Sequence, residues 1–157
     1  MRMKTKMITT MMLALFLTGM SMAPVMARPQ GDGHVLRCEF EMQVFWTTPP
    51  HWEGTITGDI TGTVYITEME PKFPGITEHY FETWDITTNE GTITIYQKGV
   101  WSFKSFEFRS NGWVTAATGT WEFLLKSTAH VYGVTTPLTA DPIIGQGTMW
   151  LCGFGSD

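Results

Sequence analysis

The segment from Trp52 to Thr67 constrains the fold of this chain more than any other part of the sequence. Apolar residues or glycine hold every even position of WEGTITGDITGTVYIT, and polar residues or tyrosine hold every odd position. A period of two places alternate side chains on opposite faces of a β-strand. The pattern therefore predicts a half-buried β-sheet, built either from one long strand bent at its glycines or from a hairpin that turns at Gly58-Asp59.

The first 27 residues have the pattern of a secretory signal peptide. Three basic residues precede an apolar run from Met7 to Met20, and small residues follow at Val25-Met26-Ala27. This order is typical of a signal that is cleaved after Ala27. We therefore expect an exported protein, which is secreted, surface-attached or periplasmic, with a mobile tail over residues 28–33 and one domain over residues 34–157.

The charge balance argues against several classes of partner. The whole chain has ten basic and fifteen acidic residues, and the predicted signal removes only basic ones. An acidic domain with few lysines is not expected to bind nucleic acid. The outer strand face rich in threonine and acidic residues also argues against membrane insertion of the mature chain, because a lipid-facing surface should be apolar.

Other segments repeat the alternating pattern and are separated by residues that favour turns. The longer ones span residues 34–46, 78–88, 92–103, 121–134 and 145–154. A short strand at Phe106 to Phe108, a turn at 110–112 and a strand from Trp113 to Ala117 complete the prediction, and no segment has a helical period. Seven or eight strands in one small domain predict an all-β fold, a single antiparallel β-barrel of about eight strands or a β-sandwich. Glycines on the apolar face favour the barrel, where they either relieve crowding or leave room for a ligand.

The strands on either side of Asn89-Glu90-Gly91 predict a hairpin with a defined register. Pairing of Thr88 with Gly91 places apolar residues opposite one another along both strands. The same register directs a mixed polar and aromatic set into the interior, and we take it as the candidate ligand-binding set: Tyr80, Glu82, Trp84, Gln97 and Trp101. A buried carboxyl such as that of Glu82 has three candidate roles, namely fixing the register through hydrogen bonds, orienting a polar ligand atom, or acting as a general acid or base.

Two cysteines, Cys38 and Cys152, lie near the two ends of the predicted domain. An even number of cysteines in an exported protein usually indicates a disulfide, so the sequence predicts a bridge between them. A zinc site is not expected, because neither cysteine has a second cysteine or clustered histidines near it. The sequence also lacks the motifs of common hydrolases, phosphate-binding loops and dinucleotide-binding folds, and we expect no cofactor and no metal.

Short glycine-containing motifs between Tyr80 and Val134 resemble a known family. These are Tyr80-Phe81, Gly91-Thr92-Ile93, Gly99-Val100, 116–120 (AATGT) and Tyr132-Gly133. Their order is similar to the strand pattern of the allene oxide cyclase and dirigent barrels, which belong to the calycin type. The resemblance implies an eight-stranded antiparallel barrel with an apolar cavity, often trimeric, that works without cofactor on hydrophobic molecules. No catalytic residue of that family can be matched to a position here, and avidin-like and lipocalin-like barrels have a similar pattern.

Three functional hypotheses follow. The first is a binding module that holds a small hydrophobic or amphipathic ligand in an aromatic interior. The second is a cofactor-free isomerase or cyclase that uses Glu82 as acid or base. The third is a structural or interaction domain whose own side chains fill the interior, and a homo-oligomer is compatible with all three.

Overall fold

A computed structural model describes residues 34–154, which fold as one closed antiparallel β-barrel. The predicted signal peptide and the tail at 28–33 lie outside the described residues. The eight strands are β1 (His34–Phe45), β2 (His51–Gly58), β3 (Gly62–Lys72), β4 (Thr77–Thr88), β5 (Gly91–Ser102), β6 (Glu107–Ala117), β7 (Thr128–Thr135) and β8 (Ile144–Phe154). Each strand pairs with the next along the chain, and β8 pairs with β1 to close the sheet. The prediction of an all-β barrel is confirmed, and closure of the sheet excludes the sandwich.

The alternation found in the sequence determines which side chains enter the core. Ile56, Ile60 and Trp84 are all fully buried, as the period of two predicts. Of the two interpretations of 52–67, the hairpin is correct, because β2 ends at Gly58 and β3 begins at Gly62. A hydrogen bond connects the turn to β1: the backbone N–H of Arg37 donates to Asp59 Oδ2 over 2.9 Å.

The predicted register of the β4–β5 hairpin is also confirmed. Thr88 pairs with Gly91, and the pairing continues without a shift through Glu82 and Gln97 to the far end of both strands. Register follows the burial pattern, because a slip of one residue would expose the whole apolar face of a strand.

Two predicted elements in the second half of the chain are wrong. The turn expected at 110–112 does not exist, because these residues lie inside the continuous strand β6. The strand expected from Trp121 to Val134 begins only at Thr128, and a 3-10 helix (Gly119–Leu124) occupies the preceding segment. The helical spacing buries Leu124 and leaves Phe123 half-exposed. The strand prediction had placed Phe123 on the inward face and Leu124 on the outward face.

The predicted disulfide between Cys38 and Cys152 is wrong, since both cysteines are free thiols. The two residues lie on neighbouring strands, but Cys38 pairs with Met149 and Cys152 pairs with Val35. They are therefore about three residues apart along the sheet, roughly 10 Å at the usual rise of a strand. Their side chains also lie on opposite faces, because Cys38 is fully buried with Met149 in the core whereas Cys152 is on the outer face beside Val35. Such a geometry is incompatible with a bridge.

Candidate functional site

One end of the barrel contains a small cavity with acidic and aromatic walls. This cavity end is where β1, β3, β5 and β7 finish and where the four other strands begin. The cavity is lined by residues from seven strands: Met42, Trp52, Glu68, Glu78, Tyr80, Glu82, Trp101, Phe108 and Thr135. Three of these are glutamates, and the lining includes no lysine, arginine or histidine.

Strand periodicity and register bring the three carboxyl groups together. Glu78 and Glu82 occupy inward positions of β4, where they alternate with exposed or half-buried residues. Glu68 is on β3 and pairs directly with Glu82. Two residues that are opposite each other in an antiparallel pair have Cβ atoms about 5 Å apart. The cavity therefore concentrates negative charge whenever these groups ionise.

Glu82 is held by a hydrogen bond inside the barrel. The indole Nε1 of Trp84 donates to Glu82 Oε1 over 2.7 Å. Burial of the carboxyl raises the pKa of Glu82 to about 8, although the bond from Trp84 opposes the shift, and the charge of Glu68 adds to it. Because this pKa lies close to neutrality, Glu82 can hold or release a proton under physiological conditions.

Glu78 is also a weak acid, for related reasons. Burial, a hydrogen bond with Glu68 and the negative charges of Glu68 and Glu82 together raise the pKa of Glu78 to about 8. The hydrogen bond raises the pKa because it favours the protonated form of Glu78, which can donate a hydrogen. Near neutral pH the cavity thus contains two protonated carboxyl groups beside Glu68.

A second polar group lies deeper in the barrel. Ser110 Oγ donates a short hydrogen bond of 2.5 Å to Gln97 Oε1, and Gln97 is opposite Glu82 in the register. Ser110 also forms a hydrogen bond with the hydroxyl of Tyr80. Burial raises the pKa of Tyr80, and the nearby charges of Glu82, Glu78 and Glu68 raise it further. The hydrogen bond with Ser110 lowers this pKa. These contacts fix the inward side chains of β4, β5 and β6 relative to one another.

Two buried donors near the site have no protein partner. Gln97 Nε2 and Trp101 Nε1 are both shielded from solvent and donate no hydrogen bond to any described residue. Trp101 lines the cavity, whereas Gln97 does not. An unsatisfied buried N–H is costly, so each of these two groups lowers the free energy of unfolding.

The cavity is small, with a volume of about 40 Å³. Pockets for drug-sized ligands typically have roughly 300–1,000 Å³, whereas one water needs about 10–15 Å³ on a comparable measure. The space at the cavity end thus suits a few water molecules or a group of three or four non-hydrogen atoms.

The middle of the barrel is filled by aromatic rings that lie over inward glycines. The ring of Tyr80 occupies the place where a side chain of Gly99 would begin, and the ring of Phe108 does the same at Gly133. Phe40 covers Gly147 in the same way. At these three positions the glycine has no side chain, and an aromatic ring of the protein occupies the space.

The structure brings together part of the predicted site. Tyr80, Glu82 and Trp101 line the cavity, but Trp84 and Gln97 are fully buried behind it. Glu68 and Glu78 were not predicted as site residues, although strict alternation along each strand places both on the inward face. Glu78 faces Trp101 in the predicted hairpin, and Glu68 continues the even positions of 52–66.

Within residues 34–154, no group of three or more histidine, cysteine, aspartate or glutamate residues is arranged to hold a metal ion. No helix in that part of the chain is long and apolar enough to cross a membrane. The chain matches no protein-family model, no curated protein and no solved structure.

Proposed function

We propose that this protein is an exported β-barrel that binds a small amphipathic molecule at the cavity end, with the polar part of the ligand among Glu68, Glu78 and Glu82. The observation that carries the proposal is a set of three carboxyl groups in an aromatic cavity without a basic residue. Burying carboxyl groups beside one another costs free energy of folding. A ligand that hydrogen-bonds to these carboxyl groups would offset part of that cost.

The loops around the cavity supply an apolar surface for the remainder of such a ligand. Trp46 is 72% exposed in the β1–β2 loop, and Phe73 and Ile76 are 60% and 61% exposed in the β3–β4 loop. From this rim a series of ring contacts leads inward. Phe73 stacks on Phe103 at 6.2 Å between ring centroids, and Phe103 contacts Trp101 edge to face at 5.2 Å. A ligand with an apolar tail would therefore find continuous apolar contact from the rim to the cavity.

The small volume decides which part of a ligand enters. Because the cavity takes only a few non-hydrogen atoms, we expect the head group to enter and the tail to stay on the rim. This refines the expectation from the sequence, in which the whole ligand would occupy the interior.

The proposal is tested by titrating the purified protein with medium-chain amphiphiles and following the indole N–H resonances by NMR. Binding should shift the resonances of Trp101 and Trp52 and leave that of Trp113, which is 47% exposed on the outer face, unchanged. The variant Glu82→Gln should alter the affinity, and Glu122→Gln, at an exposed site in the 3-10 helix at the other end, is the matched control. If no amphiphile shifts Trp101, the proposal is wrong.

A second candidate function is supported by the acid strength of the site. Glu78 and Glu82 have pKa values of about 8, in the range expected of groups that transfer protons near neutral pH. This favours the cofactor-free isomerase or cyclase implied by the resemblance to allene oxide cyclase and dirigent barrels, with Glu82 as acid or base. A substrate found by extraction and mass spectrometry should be turned over by the wild type and not by Glu82→Gln, and equal turnover by both would exclude that role.

A further inference from the structure

The loops that surround the cavity end carry exposed apolar side chains. The three most exposed large hydrophobic residues of the described chain all lie here: Trp46 in the β1–β2 loop, and Phe73 and Ile76 in the β3–β4 loop. Leu138 in the β7–β8 loop is also exposed. We call these four residues the apolar crown. Exposed apolar side chains that gather at one end of a protein indicate a surface that meets an apolar partner.

Backbone hydrogen bonds hold the crown loops in place. The N–H of Phe103 in the β5–β6 loop donates to the carbonyl oxygen of Ile76 over 2.9 Å. The β7–β8 loop is held in the same way, since the N–H of Val44 on β1 donates to the carbonyl oxygen of Ile143 over 3.2 Å. Loops that are already ordered lose little conformational entropy when they contact a partner.

The charges of these loops balance, unlike those at the other end of the barrel. The four loops at the cavity end, residues 46–50, 73–76, 103–106 and 136–143, contain one lysine and one aspartate. The connections at the opposite end carry Asp59, Glu90 and Glu122 against Lys126. The crown therefore suits a partner surface that has no net charge.

The backbone of the crown loops has few free donors. All six prolines of residues 34–154 lie at this end, namely Pro49, Pro50, Pro71, Pro74, Pro137 and Pro142. Proline has no N–H that would lose its water on leaving solvent. Other donors are paired within their own loop: the N–H of Gly75 donates to Phe73 O over 3.0 Å, and that of Ala140 to Pro137 O over 2.8 Å.

This pairing separates a lipid surface from a protein surface as the partner. A protein partner supplies acceptors for free N–H groups, whereas hydrocarbon supplies none, so a loop that enters lipid must satisfy its donors itself. Tryptophan is also enriched where membranes meet water, and Trp46 is the most exposed of the large hydrophobic residues. Both features favour lipid.

We propose that the apolar crown docks this protein on the surface of a zwitterionic lipid bilayer. The loop tips enter the interface, and the outer strand face rich in threonine and acidic residues stays in water. The inference goes beyond the proposed function, because docking requires neither an occupied cavity nor its carboxyl groups.

Co-sedimentation with phosphatidylcholine vesicles measures this docking. Trp46→Ser and Ile76→Ser should each weaken vesicle binding by about 10-fold, since transfer of one large apolar side chain out of water is worth at least that factor. Leu125→Ser is the matched control, because Leu125 is 49% exposed beside the 3-10 helix at the opposite end. This variant should bind as the wild type does.

Quenching by brominated phosphatidylcholine locates the loop tip. Trp46→Phe keeps an apolar ring, so it should still sediment with vesicles but lose most of the quenching of indole fluorescence. Trp113→Phe, on the outer face, should keep the wild-type quenching. If Trp46→Phe binds and is quenched as strongly as the wild type, Trp46 does not enter the lipid and the proposal is overturned.

Lipid charge and salt test the electrostatic part of the argument. Replacing part of the phosphatidylcholine by an anionic lipid should not strengthen binding, and added salt should not weaken it. Binding that requires anionic lipid, or that salt abolishes, would overturn the proposal. So would the absence of vesicle binding, including the case in which the crown joins two copies of this chain in a dimer that Trp46→Ser dissociates.

The two proposals fail separately. Vesicle binding without a shift of the Trp101 resonance in the amphiphile titration would support docking and refute the cavity site. A Trp101 shift in a protein that does not bind vesicles would refute docking and leave the cavity site standing.

Discussion

Trp84 donates its indole N–H to the carboxyl group of Glu82 over 2.7 Å, inside the barrel and two residues away on the same strand. Both residues point inward because they occupy even positions of β4. The bond satisfies a buried donor and holds the carboxyl in one orientation. It also opposes the rise in pKa that burial causes.

Removal of that bond should make Glu82 a still weaker acid. In Trp84→Phe the carboxylate loses a donor that stabilises its charged form, so the pKa of Glu82 should rise above its value of about 8. Titration of the Glu82 side-chain carbon by NMR in the wild type and in the variant measures this directly. An unchanged or lowered pKa would show that the bond does not stabilise the charged form.

The weak acidity of Glu82 predicts how stability depends on pH. Burial raises the pKa of Glu82 from 4.5 to about 8 in the folded protein, and the unfolded chain keeps the ordinary value. Between these two values the folded state binds more protons than the unfolded state, so the free energy of unfolding falls as pH rises. The stabilising contribution of Glu82 is fully present below about pH 4.5 and is lost as pH rises to about 8. Over this range the free energy of unfolding falls by up to roughly 1.4 kcal/mol per pH unit.

Urea unfolding of wild type, Glu82→Gln and Glu122→Gln across this range tests that dependence. Glu82→Gln should flatten the profile, because glutamine does not titrate, and the exposed Glu122→Gln should retain the wild-type slope. Glu78, Glu68 and Tyr80 also face the cavity, and burial raises the pKa of Glu78 as well. Some slope should therefore remain in Glu82→Gln, and Glu78→Gln should reduce it further. A wild-type stability that rises from pH 5 to 8 would contradict this account.

The glycines beneath the aromatic rings should tolerate no side chain. In Gly99→Ala the new methyl group would overlap the ring of Tyr80, and overpacking of this kind typically costs about 1–3 kcal/mol. Gly145→Ala is a useful control, because its nearest neighbour is the flexible end of Met42 at 3.0 Å. Thermal unfolding should show a clearly larger loss for Gly99→Ala, and equal effects would mean that the ring of Tyr80 does not lie over Gly99.

The two thiols should differ in reactivity. Cys38 is fully buried, and burial raises the pKa of its thiol to about 11, so it should resist alkylation in the folded protein. Cys152 is partly exposed and should react first. Without reductant, both should become alkylated after denaturation, and a chain that resists alkylation until it is reduced would show a disulfide instead.

The parts of the fold that follow from strict alternation were predictable from the sequence. The pairing of Trp84 with Ile95 and of Glu82 with Gln97 requires only that the apolar residues of both strands lie on one face. The site was harder to predict, because Glu68 becomes a neighbour of Glu82 only through the β3–β4 pairing. Nor does any local pattern reveal that the rings of Tyr80 and Phe108 fill the interior.

The wrong predictions have identifiable physical causes. Gly112 follows Ser110 and Asn111 and resembles a turn residue, yet it is a glycine because the carbonyl oxygen of Tyr96 on β5 lies where its Cβ would be. The aromatic residues Trp121 and Phe123 resemble a strand pattern, but the segment forms a 3-10 helix that begins at Gly119. Gly119 has φ of +66°, and the carbonyl oxygen of Glu90 lies where its Cβ would be. In both cases a contact with another part of the chain determines the local structure.

The central claim is that the acidic cavity takes a ligand group, and the indole resonance of Trp101 reports on that space most directly. This resonance is assigned by its loss in the Trp101→Phe variant. During titration with a medium-chain amphiphile it should shift until the site is saturated, while the resonance of Trp113 stays in place. A Trp101 resonance that does not move, or a shift confined to Trp113 on the outer face, would contradict the claim.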